Sequence, residues 1–225
     1  MSHFTVLILG PDPEGQLAPF DENLEMDPFV KFTKEELIEH TRKEIQEYKK
    51  MYYDEYAANP DKYIEDCKNA RHIEYLINEF PTKLSFTDNQ LYEEGIKYEE
   101  PENLGPNGEV YSTYNPKSKW DWYSLGGRWS GLIKLKEGAE GIEGESGVGG
   151  NETGIDQAKK GDIANLDEIR TFAVLKDGEW FERGSMGWWG MVSDEKPDEE
   201  WETQFKNLLD GLPDDTLISI YDCHI

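Results

Sequence analysis

FTVLILG, residues 4–10, decides how the rest of the chain is read. Its six residues before the glycine form a nearly continuous apolar run without polar alternation, the pattern of a strand buried on both faces. Gly10-Pro11 ends the run. TLISIYDCHI, residues 216–225, has the same strand character at the other end of the chain. Two apolar terminal strands are natural central neighbours in one sheet.

Between them the pattern changes twice. Residues 11–32 hold several prolines and acids and read as an irregular connection. Thr33 and Glu36 form a T-x-x-E capping arrangement, in which each side chain satisfies an orphan backbone donor at a helix start. Leu37, Thr41, Ile45, Tyr48, Tyr52 and Tyr56 follow at helical spacing, Asn59-Pro60 interrupts, and a second helix runs over 61–79 to Pro81. Region 33–80 is therefore expected to be an inserted helical hairpin, with a further short helix near 88–94. Segments 109–114, 119–125 and 130–136 have strand composition, and 137–165 contains a flexible glycine-rich loop. RTFAVLKDGEWFERG (170–184) places Asp177-Gly178 between two β-forming runs, the signal of a tight hairpin. EEWETQFKNLLDGLP (199–213) then sets Trp201, Phe205, Leu208 and Leu209 on one face of a helix stopped by Gly211 and Pro213.

This order predicts a single α+β domain over 1–225: a mainly antiparallel sheet with helices packed on one face, ferredoxin-like at its core, carrying the helical insertion and an extra β-meander.

Charge and composition narrow the function. The chain carries a formal charge of −25, which argues against direct contact with nucleic acid or anionic membrane, since both need clustered Lys and Arg. An acidic surface suits a basic protein partner instead. No run is long and apolar enough for a membrane span, and MSHFTVLILG has no basic region or small-residue cleavage site, so the chain is expected in the cytoplasm. Cys67 and Cys223 are the only cysteines, which implies neither a disulfide framework nor a cysteine zinc site.

Two groups of residues carry candidate chemistry. KWDWYSLGGRWSG (119–131) mixes aromatics with Gly126-Gly127 and one arginine. Strand alternation puts Trp120 and Trp122 on one face and Asp121 and Tyr123 on the other. Asp121, Tyr123, Arg128 and Trp129 form the candidate ligand site, where a guanidinium grips an anion or pairs with Asp121. The second group is the pair of chain ends. If the terminal strands are antiparallel neighbours, His3 meets Asp222 and His224, which share a face of the last strand. Two imidazoles and a carboxylate suit Zn²⁺ or Fe²⁺, or acid–base hydrolysis. Three further stretches carry less. SMGWWGMVS (185–193) suits a packed loop, GVGGNETG (147–154) lacks the Lys-Ser/Thr of a phosphate loop, and Lys159, Lys160 and Asp162 fit a solvated turn.

MSHFTVLILG with LAPFDEN, KWDWYSLGGRWSG, DQAKKGDI, MGWWGMVS and a terminal DCHI resembles a group of uncharacterised phage and prophage proteins. The resemblance implies a small accessory protein acting in the cytoplasm of an infected bacterium. Such a protein binds and modulates a host defence protein, here through its acidic surface and a basic partner. The alternative is a small-ligand or nucleotide-binding enzyme, including a metal-dependent hydrolase, with its site around Arg128 and the chain ends.

Overall fold

The computed structural model describes residues 2–147, 153–187 and 190–225. Part of the GVGGNETG stretch and both tryptophans of SMGWWGMVS lie outside the described residues. The chain divides into two compact units, one made of Met1–Glu25 with Tyr114–Ile225 and the other of Met26–Thr113.

In chain order, β1 (His3–Leu9) leads into α1 (Pro13–Leu17). The second unit contains β2 (Phe29–Phe32), α2 (Lys34–Tyr48), α3 (Asp54–Ala58), α4 (Pro60–Asp66), α5 (Ala70–Asn78), α6 (Phe80–Lys83), α7 (Asp88–Gly95) and β3 (Val110–Ser112). The first unit then resumes with β4 (Trp122–Gly127), β5 (Ile142–Glu143), β6 (Glu145–Ser146), β7 (Ile155–Lys159), β8 (Ala173–Lys176) and β9 (Glu179–Glu182). It closes with β10 (Ser185–Met186), β11 (Val192–Ser193), α8 (Asp198–Leu209) and β12 (Leu217–His224).

The architecture is α+β, and its main sheet is mixed but mostly antiparallel. Strand order is β5-β7-β12-β1-β8-β9, with β4 pairing the far end of β12 and β6 pairing β4. The terminal strands are central neighbours: β1 and β12 run antiparallel in continuous register from His3↔His224 to Leu9↔Ile218. β8 and β9 form the expected hairpin, in which Asp177 and Gly178 take φ values of 53° and 75°.

Two fold expectations need correction. β1 pairs parallel with β8 as an immediate neighbour, so the core departs from the split βαβ of a ferredoxin-like arrangement. The helices also do not lie on one face of the sheet. Phe4, Val6 and Ile8 pack with Leu17 of α1, Phe20, Trp120, Tyr221 and Cys223. Leu7 and Leu9 pack with Trp201 and Phe205 of α8, Val174, Ile218 and Ile220 on the opposite face. The cause lies in FTVLILG itself, because a run apolar at successive positions needs cover on both sides.

In segment 137–165, where a flexible loop was expected, residues 137–147 and 153–165 are described. They contribute β5, β6 and β7, and Asp156, Ala158 and Ile163 are buried. Glycines and glutamates around 137–154 mask the short strand that follows them.

In the second unit Thr33 makes the capping box with Glu36, and Thr87 makes another with Gln90 at the start of α7. The first helix of the expected hairpin runs from α2 through a π-helical stretch at Lys49–Tyr53 into α3 and ends at Asn59, as expected; the second is broken into α4 and α5, since Cys67 leaves helical geometry and Asn69 recaps the chain by accepting from the His72 N–H. Ile45, Phe80 and Leu91 form its core, with Tyr48, Tyr53 and Tyr75 packed around them. Burial pushes the Tyr48 hydroxyl up to about 12.

Candidate functional site at the joined chain ends

The register of β1, β12 and β4 assembles the site. His3 faces His224 on β12, and His224 faces Trp122 on β4. One row further in, Thr5, Asp222 and Ser124 stand opposite one another. Residues two apart share a face, so both rows continue the face that Leu7 and Ile220 present to α8. The apolar core on that side of the sheet thus ends in a polar row.

Each imidazole in this row is tied to a carboxylate. His3 Nδ1 lies 2.8 Å from Asp222 Oδ1, and His224 Nδ1 lies 2.6 Å from Asp121 Oδ1. A carboxylate only accepts, so both Nδ1 atoms are donors, and in the neutral ring the lone pair is left on Nε2. The two rings lie edge to face with centroids 5.0 Å apart. Trp122 stands 6.3 Å from the His3 ring and is half-exposed. His224 Nε2 is buried and has no hydrogen-bond partner among the described residues.

Asp222 is held by the turn after β4. Its side chain is 2% exposed, and its second oxygen accepts from the Arg128 N–H at 3.0 Å. Gly127 makes this approach possible. A Cβ there would lie 2.4 Å from Asp222 Cβ, and its φ is 53°. The neighbouring Gly126 opens space for another buried acid, since a Cβ there would meet Asp156 Oδ2 at 2.1 Å. Asp156 accepts from Ser130 Oγ at 2.6 Å and from the Gly131 N–H at 2.7 Å. Burial pushes its carboxyl above the ordinary range, and those donors pull it partly back. Gly126-Gly127 therefore admits two internal carboxylates close to the backbone.

The aromatic patch divides differently from simple alternation. The chain bends at Asp121, so Trp120 and Trp122 do not share a face. Trp120 is buried, donates through Nε1 to Leu17 O and packs edge-on against Tyr123 at 4.8 Å. Tyr123 also packs on Tyr221, and burial raises its hydroxyl above the ordinary value. Trp129 joins the cluster that contains Leu7 and Phe205. Of the four residues expected to form one ligand site, Asp121 reaches His224 and Arg128 contributes its backbone N–H to Asp222. Tyr123 and Trp129 pack into separate clusters on opposite faces of the sheet.

His3, Asp222 and His224 do converge, as expected from antiparallel terminal strands. Trp122 was expected to share a face with Trp120 and joins them instead, because the bend at Asp121 resets the alternation. Asp156 was not singled out, and only its place on a short strand behind Gly126 gives it importance. Lys160 Nζ donates to Leu212 O, a tie between loops. Cys223 is fully buried on the other face from the histidines, and burial pushes its thiol well up.

Among the described residues, no group of three or more His, Cys, Asp or Glu side chains is arranged to hold a metal ion, and no helix is long and apolar enough to cross a membrane. Comparison with protein-family models, with curated proteins and with solved structures finds no match.

Proposed function

We propose that the protein is an enzyme acting on a small ligand, and that its reaction is a hydrolysis centred on His3 and His224. The observation that carries this reading is the pair of carboxylate-tied imidazoles, side by side at the joined chain ends. In a His–Asp dyad the carboxylate fixes the tautomer and stabilises the imidazolium formed when Nε2 takes a proton from water. The imidazolium so formed then gives that proton to the leaving group, which restores the neutral ring for the next turnover. Trp122 offers a half-exposed indole beside the imidazoles for an apolar or planar part of the substrate. Asp121, Asp222 and the overall charge of −25 favour a neutral or cationic substrate over a nucleotide.

A substrate screen of uncharged and cationic esters, amides and glycosides tests the reading. Wild-type turnover should fall about 10²–10⁴-fold in His3→Ala and in His224→Ala, the range for loss of one positioned acid or base. Hydrolysis that persists unchanged in both variants sinks the proposal.

The net charge favours a second reading, in which the protein is a phage-type accessory factor that docks its acidic surface on a basic host defence protein in the bacterial cytoplasm. Capture from host lysate should then yield a basic protein at low salt and lose it at high salt. A partner retained equally at both would count against docking by charge.

A further inference from the structure

We propose that the cleft between segment 166–170 and one side of α8 binds a small zwitterion with an apolar side chain, of the class of the apolar α-amino acids. This site shares no residue with the histidine row, and its test is independent of the hydrolytic reading.

Phe205, Lys206 and Leu209 lie three and four residues apart and so form one side of α8. Segment 166–170 runs beside them, and the two border a cleft of about 450 Å³. Its apolar wall is Leu166 and Leu209, which pack against the core beneath α8. Its polar lining is two cations, Arg170 and Lys206, and two carboxylates, Asp167 and Asp210.

Arg170 carries the argument. Its Nη1 donates to the carbonyls of Asp167 at 2.8 Å and Ile169 at 2.7 Å. Its Cζ lies 5.5 Å from the centroid of the buried Phe205 ring. These contacts fix the head group and leave Nε and Nη2, an edge that can grip a carboxylate with two parallel bonds. Asp167 is only three residues away, yet Arg170 takes its carbonyl and not its carboxylate. Lys206 and Asp210 stand at i,i+4 spacing, which allows a pair on a helix. Among the described residues, none of these four side chains makes an ion pair. Charges of both signs therefore border one cleft without neutralising each other, in a chain rich enough in acids to quench any free cation.

Electrostatics then selects the ligand. A simple anion is repelled by the formal charge of −25, and a simple cation in the cleft meets Arg170 and Lys206. A molecule with both charges and no net charge avoids both penalties. Its carboxylate meets Arg170 and Lys206, and its ammonium meets Asp167 and Asp210. Leu166 and Leu209 offer an apolar wall for its side chain, the usual division of labour in a small-molecule site.

The test is isothermal titration of the full chain with L-leucine, L-isoleucine, L-methionine and L-phenylalanine. At least one should bind at a single site, and glycine, which lacks the apolar group, should bind more weakly. The amide and the N-acetyl derivative of the best ligand each lack one charge and should bind about 10–100-fold more weakly, the range for losing a contact to a charged group. Arg170→Lys keeps the charge but removes the fork, and Lys206→Ala removes the second cation; both should weaken binding by a similar factor. Lys159→Ala, on β7, should leave it unchanged. Circular dichroism identifies any variant that fails to fold, and for such a variant the amide and N-acetyl comparison on the wild type decides. No binding of any of these amino acids overturns the site. Equal binding of the N-acetyl derivative or of the amide overturns the zwitterion assignment, and unchanged binding by Arg170→Lys overturns the role given to its guanidinium.

Discussion

Replacing Gly127 with alanine perturbs the support of the site without touching either histidine. The new Cβ would lie 2.4 Å from Asp222 Cβ and 2.5 Å from Asp222 Oδ2, at a φ of 53°. Left-handed backbone costs an ordinary residue about 1–2 kcal/mol. Moving Asp222 also strips a buried carboxylate of the Arg128 N–H, which costs about 1–3 kcal/mol more. Together the loss is about 2–5 kcal/mol, or about 4–20 °C in Tm for a chain of this size. Gly178→Ala is the control, because Gly178 has a φ of 75° but nothing within 4 Å of its Cβ position. It should lose only the backbone term, about 1–2 kcal/mol. Urea denaturation and thermal melting of the two variants, side by side, give the comparison. Equal stabilities for Gly127→Ala and Gly178→Ala would refute the claim that Asp222 needs that glycine.

Three further outcomes follow from the packing and from burial. Phe205→Ala should cost about 3–5 kcal/mol in urea unfolding, since Phe205 is fully buried between α8 and the sheet; a loss under about 1 kcal/mol would mean α8 is not docked there. Iodoacetamide should label Cys67 alone in the native protein and Cys223 only after denaturation, because burial both shields the Cys223 thiol and holds it protonated; mass spectrometry of the native adduct decides. Asp156 has a folded-state carboxyl raised above 3.8, so the folded state binds its proton more tightly than the unfolded state does. Its contribution to stability is fully present at low pH and declines as pH rises from the unfolded value through the folded one. The difference in unfolding free energy between wild type and Asp156→Asn should shift across that interval, and a constant difference would contradict the burial argument.

What the sequence made legible was local or followed from parity. FTVLILG, the Asp177-Gly178 hairpin, the Thr33 capping box and the amphipathic helix around Trp201 each carry their signal within a few residues. The meeting of His3 with Asp222 and His224 also followed, because antiparallel register needs only the assumption that the end strands pair. The rest depends on distant neighbours. Nothing in 119–131 announces the bend at Asp121 that separates Trp120 from Trp122. Gly126-Gly127 was readable as a turn, but its clearance over Asp156 and Asp222 depends on strands β7 and β12. The parallel β1–β8 pairing joins segments more than 160 residues apart, as the Val6↔Ala173 partners indicate, and no local pattern encodes it.

In the proposed hydrolysis the imidazoles of His3 and His224 hold their Nδ1 protons on carboxylates, which leaves Nε2 to exchange protons. Long-range ¹⁵N–¹H correlation spectra of the histidine side chains read this tautomer directly. Both rings, when neutral, should give the pattern of protonated Nδ1 and unprotonated Nε2, and Asp222→Asn should alter that of His3. Protonated Nε2 in either neutral ring would contradict the account.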